Sequence, residues 1–354
     1  MTGFEPVRWA VVGWGVGGRV FHAPLIRSAD GLDLVAVVST NPERGREARA
    51  DGLEVVEDLA ALREAGVEGV TITTPAGTHA DLAVEALGLG LHVVVDKPFA
   101  TTADDARRIV AAASGDTVLT VYQNRRWDGD FLTIEQLVRD GELGRVDRLE
   151  SRIERFRPDL PRWTRDHTSE AGGGVLVDLG PHLIDQAVHL LGPVRQVFAD
   201  LATLGEDRVS EDDAIVMLRH EGGARSTIVA SVHAAAEGPR FRVSGTHGGL
   251  RIEGFDPQED QLFAGESPRT AGARWGEDDP GRTLLFEGAD GAQRRPLARG
   301  RWDTFYPAVA AAIRAGSEVP VPASDAVHVA EIFDAARLSA AEGRWVHLPS
   351  PAKN

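Results

Sequence analysis

Cysteine is absent from this chain of 354 residues. Its absence excludes disulfide bonds, zinc sites built from thiolates and cysteine nucleophiles. Disulfides are formed in oxidising compartments, so a chain without them fits the cytoplasm. We therefore expect a cytoplasmic protein whose stability and chemistry depend on other side chains.

Net positive charge and long apolar runs are missing as well. The formal net charge is −16 and no run of Lys and Arg occurs, whereas proteins that bind nucleic acid usually present a basic surface. The same charge disfavours an anionic membrane surface. No apolar stretch approaches the length of a membrane span, and Val7–Val12 is too short for the core of a signal sequence. We expect neither a nucleic-acid partner nor a membrane partner.

The length and the apolar pattern indicate two domains. In residues 1–123 short apolar runs alternate with helical patterns, which predicts a Rossmann domain of the α/β class with a parallel sheet. In residues 124–354 longer alternating runs predict an α+β domain with an open, mostly antiparallel sheet. Strands are expected at Val7–Val12, Leu34–Val38, Val70–Thr73, His92–Val95 and Val118–Val121, and then at Val146–Phe156, Val194–Leu204, Ala214–Leu218, Ser226–His233 and Phe241–Ser244.

Local signals predict where helices begin. Asp58, Thr78 and Thr102 are expected to cap helices, the last two with an Asp three residues further on. Pro24 lies within the first crossover helix, so that helix is expected to kink or restart with Pro24 in the first turn of the second piece. In the second domain we expect helices over Asp130–Arg139, Val175–Leu191, Thr304–Arg314 and Ala323–Glu342, and an irregular excursion over residues 254–300.

A glycine-rich turn follows the first predicted strand. It reads Gly13-Trp14-Gly15-Val16-Gly17-Gly18 and matches G-x-G-x-x-G. The first glycine of such a turn permits the tight bend, the second lets the backbone approach a pyrophosphate, and the third allows close packing of helix on strand. The helix N-terminus then offers unpaired N–H groups to the anion. Because the turn heads a series of strand–helix units, Gly13, Trp14, Gly15, Val16 and Gly18 are interpreted as a dinucleotide site rather than an ordinary turn.

The carboxyl end of the second strand indicates which dinucleotide binds. NAD sites place an Asp or Glu there, where it binds the ribose 2′-hydroxyl. Asp33 lies at the other end of that strand, and the carboxyl end carries Ser39 and Thr40, followed by Arg44. Two hydroxyls and a cation suit a 2′-phosphate, so we expect NADP, with NAD as the alternative. The other interpretation is that these residues cap the next helix.

Asp96-Lys97-Pro98 is the first candidate catalytic segment. It lies at the carboxyl end of a predicted strand, where open α/β sheets bind their ligands. A lysine at this place can donate to a substrate hydroxyl and stabilise the alkoxide that forms during hydride removal. The alternative is a solvated lysine in a turn.

Asp178 and His182 are the second candidate. Residues four apart on one helix share a face, so the carboxylate could orient the imidazole or raise its basicity. A His with two nearby carboxylates also suggests a metal site, but ligands on one short segment cannot easily converge on an ion, and we expect no metal. The alternative is a packed helix whose polar groups are satisfied.

Together these segments resemble the Gfo/Idh/MocA family of NAD(P)-dependent sugar and polyol dehydrogenases, and the resemblance covers nearly the whole chain. Its carriers are the glycine turn with Phe21–Ile26, then Thr74–His79, Asp96–Pro98 and Asp178–Asp185. Gln123–Asp128, Asp256–Asp260 and Trp275-Gly276 look like one branch of the family, the NADP-dependent scyllo-inositol dehydrogenases.

The resemblance implies roles for the candidate catalytic residues. Lys97 matches the lysine that contacts both nicotinamide and substrate in the family. Asp178 and His182 match its Asp-x-x-x-His pair, with His182 as the proton acceptor. Asp96 lies at a cofactor-binding position where most members have Glu, so its carboxylate is on a shorter side chain.

The resemblance also implies the surroundings of the cofactor. Thr74, Pro75 and His79 match the loop that lines it, and Asn124 and Arg125 lie where the chain crosses into the second domain beside the nicotinamide. The second domain of the family often forms dimer or tetramer interfaces. We therefore expect a homodimer or homotetramer.

The function expected from these observations is reversible hydride transfer between a secondary alcohol of a polyol, inositol or sugar and a nicotinamide. Substrate hydroxyls are expected to contact Arg157, Trp163 and His167, besides the catalytic residues. One alternative is a glycoside hydrolase or lyase that uses tightly bound NAD as a transient oxidant. A second is a non-catalytic dinucleotide sensor.

Overall fold

The described part of the chain, residues 5–157, 167–168 and 171–349 of a computed structural model, contains two β-sheets. The strands of the first are β1 (Val7–Val12), β2 (Leu32–Val38), β3 (Glu54–Val56), β4 (Gly69–Ile72), β5 (His92–Val95) and β6 (Leu119–Val121). All are parallel, in the order β3-β2-β1-β4-β5-β6. The predicted Rossmann sheet is confirmed. The edge strand β3 was not predicted, because it is short and only partly buried.

The crossover helices surround this sheet. They are α1 (Ala23–Ser28), α2 (Pro42–Ala50), α3 (Leu59–Glu64), α4 (His79–Gly88) and α5 (Ala103–Ala112). A π-helical segment, Gly17–His22, precedes α1, and Pro24 lies in the first turn of α1. The predicted restart at Pro24 is confirmed, since the ring supplies a fixed φ and needs no N–H partner there.

Two of the three predicted helix caps are confirmed. The side chains of Asp58 and Thr102 each accept the backbone N–H three residues further on. The prediction for Thr78 was wrong, because its hydroxyl donates to the carbonyl of Pro75 and lies 2.7 Å from the hydroxyl of Thr74. The hydroxyls of the loop before α4 therefore form hydrogen bonds within that loop.

Nine strands form the second sheet. They are β7 (Val146–Glu154), β8 (Val194–Ala202), β9 (Asp213–His220), β10 (Arg225–Ser231), β11 (Phe241–Gly245), β12 (Gly248–Ile252), β13 (Thr283–Gly288), β14 (Gly291–Pro296) and β15 (Val346–His347). Their order is β14-β13-β12-β11-β7-β10-β9-β8-β15, and every pair except β7 with β10 is antiparallel. The predicted open, mostly antiparallel sheet is confirmed.

The remaining helices follow β6 in the chain. They are α6 (Gly129–Arg139), α7 (Val175–Asp178), α8 (Gly180–Leu191), α9 (Gln258–Phe263), α10 (Pro268–Ala271), α11 (Phe305–Ala315) and α12 (Ala323–Glu342). None of the described helices is long and apolar enough to cross a membrane.

Two predictions for the second half of the chain were wrong. Residues 254–300 are not irregular, because they contain α9, α10 and the β13–β14 hairpin, whose outer strand is exposed and polar. The expected helix over Val175–Leu191 is interrupted at Leu179, so that α7 and α8 are separate. Pro181 lies in the first turn of α8 and has no N–H to donate to the preceding turn, which explains the break.

The two hydrophobic cores share helix α12. Ala326 and Ala330 pack in the core of the first sheet, while Ile332 and Phe333 pack in the core of the second. Residues of α11 also belong to the first core, although they follow residue 123 in the chain. The division at residue 123 stays a prediction, and the chain after it contributes to both cores.

A buried ion pair joins α8 to the segment after β6. Arg126 Nε and Nη2 donate to the two carboxylate oxygens of Asp185 at 2.8 and 2.7 Å, and Nη2 also donates to Asp325 of α12 at 2.9 Å. The side chains of Arg126 and Asp185 are only 6% and 2% exposed. Removing one partner would leave the other charge buried without compensation.

We expect Arg126→Met to lower the free energy of unfolding by about 3–5 kcal/mol, as breaking a buried pair does. The double variant Arg126→Met/Asp185→Leu should recover most of the loss, because no unpaired buried carboxylate remains. Urea denaturation followed by circular dichroism measures both. Arg107→Met is the control, since the half-exposed Arg107 should contribute about 1 kcal/mol or less. A double variant as unstable as the single one would contradict this assignment.

Candidate active site

The candidate site lies at the carboxyl ends of β1, β4 and β5, which are neighbours in the first sheet. The glycine turn follows β1, the segment Thr73–His79 follows β4, and Asp96 and Lys97 follow β5. Parallel strands bring these segments to one edge, where open α/β sheets bind their ligands. The sequence-predicted cofactor and lysine segments therefore meet.

The glycine turn has the shape of a dinucleotide cradle. Gly13 has a φ of +95°, in the region that favours glycine. A Cβ on Gly18 would lie 2.2 Å from the carbonyl oxygen of Gly13, so only glycine permits this approach. A Cβ on Gly15 would meet nothing nearer than Arg44, at 3.8 Å. The backbone of Gly15 is open to a pyrophosphate, and the turn fits the group that the motif predicts.

The two other residues of the turn differ in exposure. Val16 is 52% exposed, whereas the side chain of Trp14 is only 1% exposed and packs in the first core. A cofactor at this turn would therefore meet the backbone of Trp14 rather than its ring. The turn offers backbone groups, as an anion site requires.

Arg44 reaches the glycine turn from α2. Its Nη1 is the atom nearest to a Cβ built on Gly15, and its side chain makes no ion pair with any described residue. Asn41, not Ser39 or Thr40, caps α2 by accepting the N–H groups of residues 43 and 44. The interpretation of Ser39 and Thr40 as helix caps is therefore wrong, and Thr40 is exposed beside the turn.

His79 connects the loop after β4 to the loop after β5. Its Nε2 lies 2.8 Å from the carbonyl oxygen of Thr74, and its Nδ1 lies 2.8 Å from that of Pro98. Burial lowers the pKa of His79, although the two carbonyls and Asp96 oppose that effect. The ring is 1% exposed, so His79 fixes the lining of the cleft from behind, while Pro75 is exposed at the surface.

Lys97 and Asp178 bring the two domains together at the site. Lys97 Nζ donates to Oδ1 of Asp178 at 2.9 Å and to its carbonyl oxygen at 2.8 Å. The two side chains are 22% and 34% exposed, so the pair borders an open cleft. Lys97 is one of only two lysines in the chain. The interpretation of Lys97 as a solvated turn lysine is wrong.

His182 is buried beside this pair. It is 6% exposed, and its Nδ1 is buried without a hydrogen-bond partner among the described residues. Burial lowers the pKa of His182 well below its usual value, and Lys97, Arg125 and Arg240 lower it further. The imidazole is therefore neutral at neutral pH and can accept a proton.

Of the two groups that Asp178 was expected to orient, Lys97 and His182, the structure pairs it with Lys97. Asp178 ends α7 and His182 lies in α8, beyond the break at Leu179. The Asp178 carboxylate bonds Lys97, and within the described ranges no hydrogen bond connects it to His182. Asp178 can orient Lys97 directly, but it does not hold the imidazole.

Asn124 and Arg125 lie in a short helical turn, Asn124–Trp127, at the crossing between the domains. Both are buried, and Asn124 Oδ1 has no partner among the described residues. Arg125 donates to Asp128 at 3.2 Å and to Glu259 of α9. Its guanidinium is thus held in ion pairs.

Glu259 and Arg155 were missed by the sequence reasoning. Glu259 pairs with Arg125, and its carboxylate lies 3.5 Å from the guanidinium of Arg155. The side chains of Glu259 and Arg155 are 21% and 22% exposed. Burial raises the pKa of Glu259, but Arg125, Arg155 and Lys97 outweigh it and hold the pKa below the usual value. The signal in the sequence that could have indicated Glu259 was its position in Asp256–Asp260, a segment that carries part of the family resemblance. Only the fold brings that segment to the cleft.

The predicted substrate residues lie on the segment after β7. Arg157 is exposed and its N–H donates to the carbonyl of Val232. His167 is exposed, and its carbonyl accepts from the hydroxyl of Ser210. Trp163 lies outside the described residues. The assignment of these three to substrate stays a prediction.

Family profiles match both halves of the chain. Residues 7–123 match the oxidoreductase family, NAD-binding Rossmann fold. Residues 131–251 match the GFO/IDH/MocA C-terminal domain. The chain belongs to the Gfo/Idh/MocA oxidoreductase family. The resemblance stated from its motifs is confirmed, and the first domain is an NAD-binding Rossmann domain.

Individual members of the Gfo/Idh/MocA family are similar over the full length. The uncharacterized oxidoreductase YdgJ of Escherichia coli K12 is 38% identical over 93% of this chain and 95% of its own. IolW of Bacillus subtilis 168, a scyllo-inositol 2-dehydrogenase (NADP(+)), is 32% identical over 97% of this chain and 96% of its own. The structure of yvaA from Bacillus subtilis, assigned as an oxidoreductase, has a TM-score of 0.90 at 31% identity and covers 98% of this chain and 99% of that one.

Two glycine variants of this family member separate packing from cofactor binding. Gly18→Ala places a Cβ 2.2 Å from the Gly13 carbonyl and should destabilise the fold by about 1–3 kcal/mol. Gly15→Ala meets no protein atom closer than 3.8 Å, so Tm should not change, while NADH and NADPH affinity should fall roughly tenfold or more because the backbone is shielded. Thermal melts and fluorescence titration measure the two effects. Unaltered nucleotide binding in Gly15→Ala would show that this face is not the cradle.

Proposed function

We propose that this protein is an NAD(P)-dependent dehydrogenase that acts on a secondary alcohol of a polyol, inositol or sugar. The observation that carries the proposal is the contact of Lys97 with Asp178, next to the neutral His182 and at the strand ends that hold the glycine turn. A bound nicotinamide supplies the hydride acceptor, or the donor in the reverse direction.

Lys97 binds and orients the substrate hydroxyl. An ammonium has three N–H donors, and two of them are directed to the carboxylate and the carbonyl of Asp178. The third can donate to the substrate oxygen, and its charge stabilises the alkoxide as the hydride leaves. Asp178 thereby fixes the direction of that donor.

His182 takes the hydroxyl proton. Its low pKa, caused first by burial and then by Lys97, keeps the ring unprotonated before the reaction. The proton moves from the substrate oxygen to an imidazole nitrogen, and in the reverse direction it returns to the carbonyl oxygen. The assignment rests on the buried, neutral ring and on the family resemblance.

A hydroxylated substrate suits the polar groups around the pair. Glu259 can accept from substrate hydroxyls and Arg155 can donate to them. Relatives are named for such substrates: IolW for scyllo-inositol, a Paraburkholderia graminis protein for D-apiose, and a Thermotoga maritima protein for myo-inositol. We therefore favour a cyclic polyol or a branched sugar. A cytoplasmic location and a homodimer or homotetramer stay predictions.

NADP is the proposed cofactor, with NAD as the alternative. Arg44 is a cation beside the glycine turn without an ion-pair partner among described residues, and Ser39 and Thr40 leave the capping of α2 to Asn41. A 2′-phosphate would find a cation and hydroxyls there, and no carboxylate from the end of β2.

We expect Lys97→Ala and His182→Ala to lower kcat by roughly 10²–10⁴-fold, the usual contribution of an oxyanion-stabilising donor or of a positioned proton-transfer group, while NADPH still binds. The assay is a panel of inositols, other polyols and aldoses with NADP or NAD, followed at 340 nm. His189→Ala is the control, because His189 pairs with Glu135 on the surface. Near-normal turnover of either variant would refute the assigned roles.

The same panel decides between the alternatives. Product formation without net absorbance change at 340 nm would identify a hydrolase or lyase with transiently reduced NAD. Nucleotide binding without conversion of any compound would favour a dinucleotide sensor. The presence of both Lys97 and His182 weighs against a sensor, since binding alone requires neither.

Arg44→Ala tests the cofactor choice. Loss of a charge-assisted contact of about 1.5–3 kcal/mol should weaken NADPH binding roughly 10- to 100-fold and leave NADH binding unchanged. Arg46→Ala is the matched control, an exposed arginine two residues further along α2. Fluorescence titration gives both dissociation constants. Tighter binding of NADH than of NADPH by the unaltered protein would overturn the NADP preference.

A further inference from the structure

His22 lies directly behind the candidate cofactor site, and the proposed reaction does not use it. It belongs to the Phe21–Ile26 segment that carries the family resemblance, and its side chain is 0% exposed. Its Nε2 lies 3.4 Å from Oδ1 of Asp96. Its ring centroid lies 4.4 Å from that of Tyr122. Burying an imidazole next to a carboxylate is costly unless the surrounding groups satisfy both.

A chain of buried side chains leads to His22 from the far side of the core. Trp9 Nε1 donates to Thr71 Oγ1 at 2.8 Å. Thr71 Oγ1 lies 2.9 Å from the hydroxyl of Tyr306, which lies 2.6 Å from His22 Nδ1. All four side chains are at most 1% exposed. The chain runs from β1 through β4 to α11 and ends at the glycine-turn segment.

The indole of Trp9 determines which atom donates in each hydrogen bond of this chain. An indole N–H only donates, so Thr71 Oγ1 accepts from Trp9 and must send its own hydrogen elsewhere. Tyr306 is its other polar neighbour. If Thr71 donates to Tyr306, Tyr306 can donate to Nδ1 of His22. The opposite direction would leave the hydroxyl hydrogen of Thr71 buried without an acceptor, at a cost of about 1–3 kcal/mol.

With Nδ1 accepting, the hydrogen of neutral His22 is on Nε2, which lies 3.4 Å from Oδ1 of Asp96 and has no hydrogen-bond partner among the described residues. Oδ1 of Asp96 also accepts the backbone N–H of Lys97, at 2.8 Å. Oδ2 lies 3.3 Å from the place of a Cβ on Gly17, so it borders the glycine turn. The carboxylate therefore connects the glycine turn to the peptide that carries Lys97.

Basic groups around Asp96 act on its carboxyl. Burial alone would raise the pKa of its carboxyl, but His22, Lys97 and His79 together outweigh burial and lower the pKa. These are the titratable groups that act on Asp96 from the glycine-turn segment, from its own loop and from α4. On its buried side the Asp96 carboxylate faces the imidazole of His22, at 3.4 Å.

We propose that His22 is a positioning residue for the cofactor site, fixed as its Nε2–H tautomer by the chain Trp9–Thr71–Tyr306, and that it holds Asp96 in the orientation that connects the glycine turn to Lys97. The proposal adds to the proposed function, on which it rests only for the role of the cofactor site.

Two hydroxyl deletions test the chain. Tyr306→Phe and Thr71→Val remove a single oxygen each and keep the shape of the core, and Thr71→Ser restores the hydroxyl. Tyr122→Phe is the matched control. The ring of Tyr122 also packs on His22, but its hydroxyl has no hydrogen-bond partner in the part of the chain that the structure describes.

The first measurement is the tautomer of His22, from long-range ¹H–¹⁵N correlation spectra of the histidine-labelled protein without cofactor, with His22→Gln to assign the signals. We expect a protonated Nε2 and an unprotonated Nδ1 in the unaltered protein, in Thr71→Ser and in Tyr122→Phe. Tyr306→Phe and Thr71→Val should show a shift toward mixed tautomers. A protonated Nδ1 in the unaltered protein would overturn the direction of the chain.

The second measurement is NADPH and NADH affinity by fluorescence titration. Loss of the Trp9–Thr71–Tyr306 hydrogen-bond chain should raise the dissociation constant of the preferred nucleotide by roughly tenfold, as one neutral hydrogen bond of about 1–1.5 kcal/mol implies. The dissociation constants of Thr71→Ser and Tyr122→Phe should stay within about twofold of that of the unaltered protein. Equal losses in Tyr306→Phe and Tyr122→Phe would overturn the positioning role. Failure of the proposed reaction would appear in the substrate panel and leave both measurements unaffected.

Discussion

The contact between Lys97 and Asp178 is the point at which the two domains form a single site. An ion pair with both side chains partly exposed contributes little to stability, about 0–1 kcal/mol, so it cannot hold the domains together. That task belongs to α12, which packs in both cores. Packing elsewhere in the fold thus brings Lys97 and Asp178 together, and the ion pair does not have to supply that free energy. The two side chains are in contact before a substrate binds.

Much of the first domain could be predicted from its residues. Parallel strands covered by helices on both faces appear as continuous apolar runs, and turn and cap residues mark the boundaries, as Pro24 and Asp58 do. The second half was harder to predict. The outer strand β14 is exposed and polar, so no apolar alternation indicates it. The break between α7 and α8 depends on Pro181, within a segment whose helical period continues on both sides.

The site was predictable where one segment carries its own chemistry. Lys97 follows a strand, and the glycine turn has a fixed spacing. Contacts between distant segments left no such signal. Glu259 comes to the cleft from a region rich in glycine and charge, and Arg155 from the end of a strand, so only the packed structure shows that they pair. The hydrogen bond from Lys97 to Asp178 could not be predicted for the same reason, because the two residues are 81 positions apart in the sequence.

The positive charges around His182 act on both partners of the proposed proton transfer, the imidazole and the substrate hydroxyl. Burial, and after it the charges of Lys97, Arg125 and Arg240, lower the pKa of His182 and so weaken it as a base. The same charges also lower the pKa of a substrate hydroxyl in the cleft, and proton transfer depends on the difference between the two. In the proposed reaction Lys97 donates directly to the substrate oxygen, whereas no hydrogen bond connects it to His182 in the described residues. Because the interaction of charges falls with distance, Lys97 stabilises the alkoxide to which it donates more than it opposes protonation of His182. Lys97 is therefore the charge that favours transfer to His182 in the proposed reaction.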